Sequence, residues 1–140
     1  MKKLIGVAAL MAMAMAGCST NPTSAENADQ VPLSRIFYSG TGDSGIQVTR
    51  DGGALGSGCY IGVFLDGKLA ARISGGETVK LSVPAGEHLV GMGDDPHGNG
   101  LCAIGGIAMR EVPASLSAGQ NRRFRIFGDM SGFQISPTSF

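Results

Sequence analysis

The sequence has no tryptophan, two tyrosines, two histidines and three cysteines, and only 16% of its 140 residues are charged. Each shortage excludes a class of function. Two histidines and no Cys-x-x-Cys pair fall short of the three or four convergent ligands a zinc centre takes. Eleven basic residues balance eleven acidic ones, so no basic stripe exists for nucleic acid. Nucleophile signatures are missing too: there is no Gly-x-Ser-x-Gly elbow, and no glycine-rich segment ends in the Gly-Lys-Ser/Thr of a phosphate loop. No catalytic residue and no cofactor is expected.

What the chain has in quantity is glycine, 23 residues without a collagen-like period. Each glycine inside a helix costs about 1 kcal/mol relative to alanine. The same residues suit short strands joined by tight turns, where a positive φ is often required. Hydrophobic residues at 43% are enough to build a core, and the length allows one domain.

The N-terminus has a different character. Lys2 and Lys3 precede an apolar run over residues 4–15, too short to span a bilayer core about 30 Å thick as a helix. Met15-Ala16-Gly17-Cys18 follows, and it resembles the lipobox of bacterial lipoproteins, with Met15 where leucine is commoner. That resemblance implies a signal peptide over residues 1–17. It also implies a Cys18 carrying diacylglycerol on its thiol and a fatty acyl chain such as palmitate on its new amino group. Stable anchoring takes at least two chains, which Cys18 would supply. The alternative is an ordinary secretory signal cut after Ala14-Met15-Ala16. Loss of Lys2 and Lys3 leaves nine basic against eleven acidic residues, a formal charge of −2, so attraction to anionic lipid would not do the anchoring. By resemblance to enterobacterial sorting, Ser19 after the cysteine points to the outer membrane, facing the periplasm.

An odd cysteine in an exported chain needs explaining, and lipidation of Cys18 would explain it. Cys59 and Cys102 are then available to pair in an oxidising compartment, a bridge contributing roughly 4 kcal/mol by loop entropy. Two separately buried thiols are the alternative.

Residues 18–33 are polar, small and aperiodic, and read as a flexible tether reaching about 20 Å. Residues 34–140 form the body. Arg35-Ile36-Phe37-Tyr38 is a short strand candidate, and residues 46–49 alternate apolar with polar. Cys59, Ile61, Val63 and Leu65 share one face of the next strand, and Asp66-Gly67 is the sequence of a type I′ hairpin turn, setting Val63 opposite Ala70. Val79, Leu81 and Val83 point inward with Thr78, Lys80 and Ser82 outward. His88, Val90 and Met92 follow a Pro84-Ala85-Gly86 turn. After a glycine-rich loop over residues 93–106, fixed at Cys102, strands are expected at 107–112, with Pro113 near the end, at 122–127, and around Phe133 and Ile135. The sum is all-β, a small sandwich of about eight short antiparallel strands.

The run Val63-Phe64-Leu65-Asp66-Gly67-Lys68, the Gly76-Glu77 step and Val83-Pro84-Ala85-Gly86-Glu87-His88 resemble PEGA-like domains and related uncharacterised bacterial lipoprotein domains. The likeness covers residues 57–92 and lacks the Thr-Pro pair of many such repeats. It implies a small Ig-like sandwich in the cell envelope with a structural or binding role.

Two polar clusters are candidates for function. Arg123 and Arg125 share one strand face, beside Arg122, and could receive an anionic partner such as the stem carboxylates of peptidoglycan or a phosphate, an envelope protein being the other partner expected; the alternative is a solvated face. Asp94, Asp95 and His97, joined by His88, could serve a metal-dependent or hydrolytic enzyme, against the plainer reading of a solvated turn and a packing histidine. His97 also counts among the ligand-surface candidates.

Overall fold

A computed structural model describes residues 19–140, in which nine strands form two sheets packed face to face. The strands are β1 (Asp29–Gln30), β2 (Ser44–Arg50), β3 (Ile61–Leu65), β4 (Lys68–Ile73), β5 (Glu77–Val83), β6 (Gly86–Gly93), β7 (Arg110–Leu116), β8 (Asn121–Asp129) and β9 (Gly132–Thr138). One sheet runs β1-β5-β2-β8-β9 and the other β4-β3-β6-β7. Side-chain alternation builds the core. Ile46 and Val48 of β2, Val79, Leu81 and Val83 of β5, and Phe124 and Ile126 of β8 meet Ile61 and Val63 of β3 and Val90 and Met92 of β6, all nearly or fully buried. The domain is all-β, as expected. No helix among the described residues is long and apolar enough to cross a membrane.

Parallel pairing of β2 with β8, in register from Gly45 opposite Asn121 to Arg50 opposite Ile126, gives the larger sheet its direction. Both strands finish at the same end. The loop over residues 51–60, the Asp129–Gly132 turn, the start of β3 and the long loop after β6 therefore gather there. We call this the loop end; the β3–β4 and β5–β6 turns lie at the opposite, hairpin end.

Several expectations need correction. Asp66 and Gly67 both adopt positive φ, 50° and 77°, as a type I′ turn requires. Beyond the turn the register shifts, however, and Val63 faces Ala71 in place of Ala70. The displaced Ala70 turns its carbonyl to residues 37 and 38, accepting hydrogen bonds from both amides. This explains the second error: Arg35-Ile36-Phe37-Tyr38 is not a strand but a 3-10 turn at Leu33–Arg35 followed by a single bridge from Ile36 to Ala71. Pro113 sits in the middle of β7, not near its end, which is tolerated because β7 is an edge strand. Thr78 is buried with Thr49, their hydroxyls 2.9 Å apart, although its place in the alternation predicts exposure. Both faces of β3 are covered: the Phe64 ring lies over Gly62, where a Cβ would come within 2.7 Å of it.

The largest correction concerns residues 19–33, expected to form a flexible tether. They are laid down on the body. Thr20 and Ala25 are buried, Asn21 bridges to Gly52, and β1 pairs in parallel with the edge of β5. Composition alone suggested coil; the segment is held by partners distant in sequence, which no local pattern records.

Candidate functional site

The chemistry concentrates at the loop end, and it starts from β2. Ile46, Val48 and Arg50 have the same parity, so an arginine is driven inward with two aliphatics. Arg50 is 1% exposed and makes no ion pair with a carboxylate among the described residues. Its guanidinium donates to the carbonyls of Cys59 (2.8 Å), Ile73 (3.1 Å) and Gly56 (2.7 Å), and lies 5.2 Å from the centroid of the Phe133 ring. Its Nε has no hydrogen-bond partner among the described residues. Burial pulls its pKa down to about 10, against the opposing charge of Glu77, so it remains a cation at neutral pH. It thereby ties the loop before β3 to the end of β4.

The next residue does the same for the N-terminal segment. Asp51 points to the outer face of the larger sheet, where Arg125 grips it through Nε (2.8 Å) and a terminal nitrogen (2.5 Å). The carboxylate is fully buried. It also accepts from the Thr20 hydroxyl (3.1 Å) and the Thr23 amide (3.3 Å). Thr20 completes the fixation by exchanging hydrogen bonds with Gly128, amide to carbonyl at 2.9 Å and amide to hydroxyl at 3.0 Å.

Cys59 and Cys102 form a disulfide with their Cα atoms 5.5 Å apart. It fixes a 3-10 turn at Gly100–Ala103 to the entry of β3. Cys102 is not the only fixed point of the long loop. Asp94 accepts from the amides of Gly106 (3.2 Å) and Ile107 (2.8 Å), and Asp95, buried, takes a two-pronged ion pair from Arg72. Arg72 also stacks on Tyr60, whose other contact is Arg35, the two guanidinium carbons lying 4.8 and 4.4 Å from the ring centroid. Between the bridge, the loop and the β8–β9 turn lies an open cleft of about 370 Å³, lined by Leu101, Ile107, Arg110, Ser131 and Phe133 beside the disulfide.

The candidate residues are distributed as follows. Arg123 and Arg125 do share the outer face, but each already has an acid: Glu26 at 2.6 Å for Arg123, Asp51 for Arg125. On this face Arg123 pairs with Glu26 of the N-terminal segment, and Arg125 with the Asp51 that holds Thr20 and Thr23. The enzyme candidates are not brought together. Asp94 and Asp95 brace their loop, and the His97 ring stacks on Phe37 at 5.3 Å. His88 lies toward the hairpin end, six strand residues or about 20 Å along the chain from Asp94, bonded to Asp66 and to the Pro84 carbonyl, both at 2.8 Å. No group of three or more His, Cys, Asp or Glu able to hold a metal occurs among the described residues. Cys18 lies outside them.

Sequence reasoning missed Arg50 and Asp51. The signal for Arg50 was its parity with Ile46 and Val48; for Asp51 there was none, because its partners are distant in sequence. Comparison of the chain with protein-family models, curated proteins and solved structures returns no match.

Proposed function

We propose that the protein is a lipid-anchored lipoprotein of the bacterial cell envelope, held in the outer membrane and facing the periplasm, whose sandwich has a structural or binding role. Cysteine arithmetic carries this reading. The bridge consumes Cys59 and Cys102, and the remaining Cys18 stands at the end of a lipobox-like Met-Ala-Gly-Cys, behind two lysines and an apolar run. A structural disulfide suits an oxidising compartment. The likeness of residues 57–92 to PEGA-like envelope domains points the same way, and so does a site whose charged groups are spent on holding loops. The ligand is taken to be another envelope component, a protein or peptidoglycan.

Mass spectrometry of the N-terminal peptide from membranes is the test. The expected result is a chain beginning at acylated Cys18, with Cys18→Ala left soluble or uncleaved. A cleaved Cys18→Ala form retained in the membrane would overturn the reading. In vivo crosslinking from positions near Arg123 and His97 then identifies the partner.

A further inference from the structure

The described chain begins at the loop end. Thr20 is buried there, locked to Gly128 and Asp51, so Cys18 is separated from a fixed point of the body by two residues, no more than about 7 Å. An anchor on Cys18 would therefore have no long spacer, and the loop end would have to face whatever holds the anchor.

That same end carries three of the four most exposed large hydrophobic side chains among the described residues, the fourth being Leu33 on the turn after β1. Leu101, on the turn fixed by the disulfide, is 85% exposed; Ile104, two residues past the bridge, is 76% exposed; Met130, at the tip of the β8–β9 turn, is 87% exposed. Leu101 and Ser131, the neighbour of Met130, line the same cleft. Single exposed apolar residues are ordinary, but three long ones grouped on braced loops at one end mark a contact surface. The only lysines of residues 19–140 are Lys68, at the hairpin end, and Lys80, within β5, so the apolar tips carry no lysine rim. Asp51 and Asp95 are paired with arginines, Arg50 is buried, and the exposed charges at this end include one cation, Arg110 of the cleft, against Asp94 and Asp129, which gives no positive surface. Such a surface suits apolar contact beneath an anchor better than electrostatic attraction to lipid.

We infer that the loop end lies directly against the lipid surface, with Leu101, Ile104 and Met130 entering the headgroup region beside the acyl chains of Cys18. This rests on the lipidation proposed above. The body is then oriented, sheets upright on the bilayer, with the hairpin end and the C-terminus turned away from it.

The absence of tryptophan makes the test direct, since M130W, L101W and F140W each carry a single reporter. Phe140 follows β9 at the hairpin end and serves as the control. The acylated proteins, beginning at Cys18, are reconstituted in phosphatidylcholine vesicles with brominated acyl chains. Their unfolding midpoints, expected to match the parent because all three positions are exposed, show that each is folded. M130W and L101W should shift to the blue and lose about half their emission or more, as for side chains at the headgroup–acyl boundary, while F140W does not change. If Cys18 is acylated by mass and M130W is quenched no more than F140W, apposition is wrong and lipidation stands. If Cys18 carries no lipid, both fall. A blue shift without quenching would mean that a protein surface, a second copy included, covers the loop end, and would also overturn the inference.

Discussion

The two ends of the sandwich are closed by different chemistry. At the hairpin end the chain reverses through short turns whose residues state their own geometry: Asp66-Gly67 with both φ positive, and Pro84-Ala85-Gly86. A single polar latch, His88 with Asp66 and Pro84, joins them. At the loop end, long segments without periodicity are held by a disulfide, a buried arginine and two buried carboxylates. Where local sequence already favours the turn, little more is needed. Where it does not, ordering entropy of about 1–2 kcal/mol per residue must be offset by long-range bonds.

The contrast predicts a ranking of effects. Replacing Cys59 and Cys102 together by serine should cost roughly 4 kcal/mol of unfolding free energy, the loop-entropy value for a bridge of this span. Denaturant unfolding measures it; a loss under about 1 kcal/mol would mean that Asp94 and Asp95 hold the loop unaided. Arg50→Ala comes next, at about 3 kcal/mol, because the carbonyls of Gly56, Cys59 and Ile73 lose their donor while the cost of burying the cation is recovered. Arg50→Met, which keeps the stem but not the donors, should recover part of the loss by packing. Equal stability of the alanine and methionine variants would deny the stem any share.

Asp51→Ala should cost about 2 kcal/mol, the range for a charged hydrogen bond lost in a buried setting. Its distinguishing effect is local. Hydrogen exchange should quicken in residues 20–31, which Asp51 and Gly128 hold, and stay slow in β6, which they do not touch. Uniform acceleration throughout the domain would show that the segment is part of the cooperative core and not an applied strap.

These ranks also explain what could be read from the sequence. Strand identity was legible wherever alternation met a turn residue, as in β5 and β6, because both signals are local. The bridge was legible as one of two options from cysteine number alone. The strap was not: residues such as Thr20 and Glu26 have coil composition, and their partners Gly128, Asp51 and Arg123 lie 75 or more residues away in two cases of the three. The same blindness hid the acids with which Arg123 and Arg125 pair. Charge clusters were found correctly; which acid satisfies each depends on the sheet order, and parallel pairing of β2 with β8 was not anticipated.

The smallest effect belongs to the hairpin end and depends on pH. Both acceptors facing His88, the Asp66 carboxylate and the Pro84 carbonyl, lack a proton to give, so only the doubly protonated ring satisfies the two contacts. The Asp66 hydrogen bond, then that to Pro84, raises the His88 pKa above its ordinary value. Burial works against Asp66, but the hydrogen bonds from His88 and from the Leu89 amide prevail and hold its pKa below the usual carboxylate range. A raised histidine contributes stability that is complete below its unfolded value and lost as pH rises through the folded one; a depressed carboxylate contributes above its unfolded value and loses it in acid. Above the ordinary carboxylate value of about 4 and below the ordinary histidine value of about 6.5 the latch is therefore whole, and as pH rises above about 6.5, through the raised value of His88, only its histidine half is lost. Thermal midpoints across that upper interval should decline in the parent and decline less in His88→Gln, whose amide does not titrate. Parallel curves for the two proteins would assign the pH dependence elsewhere and leave the hairpin end to its turns alone.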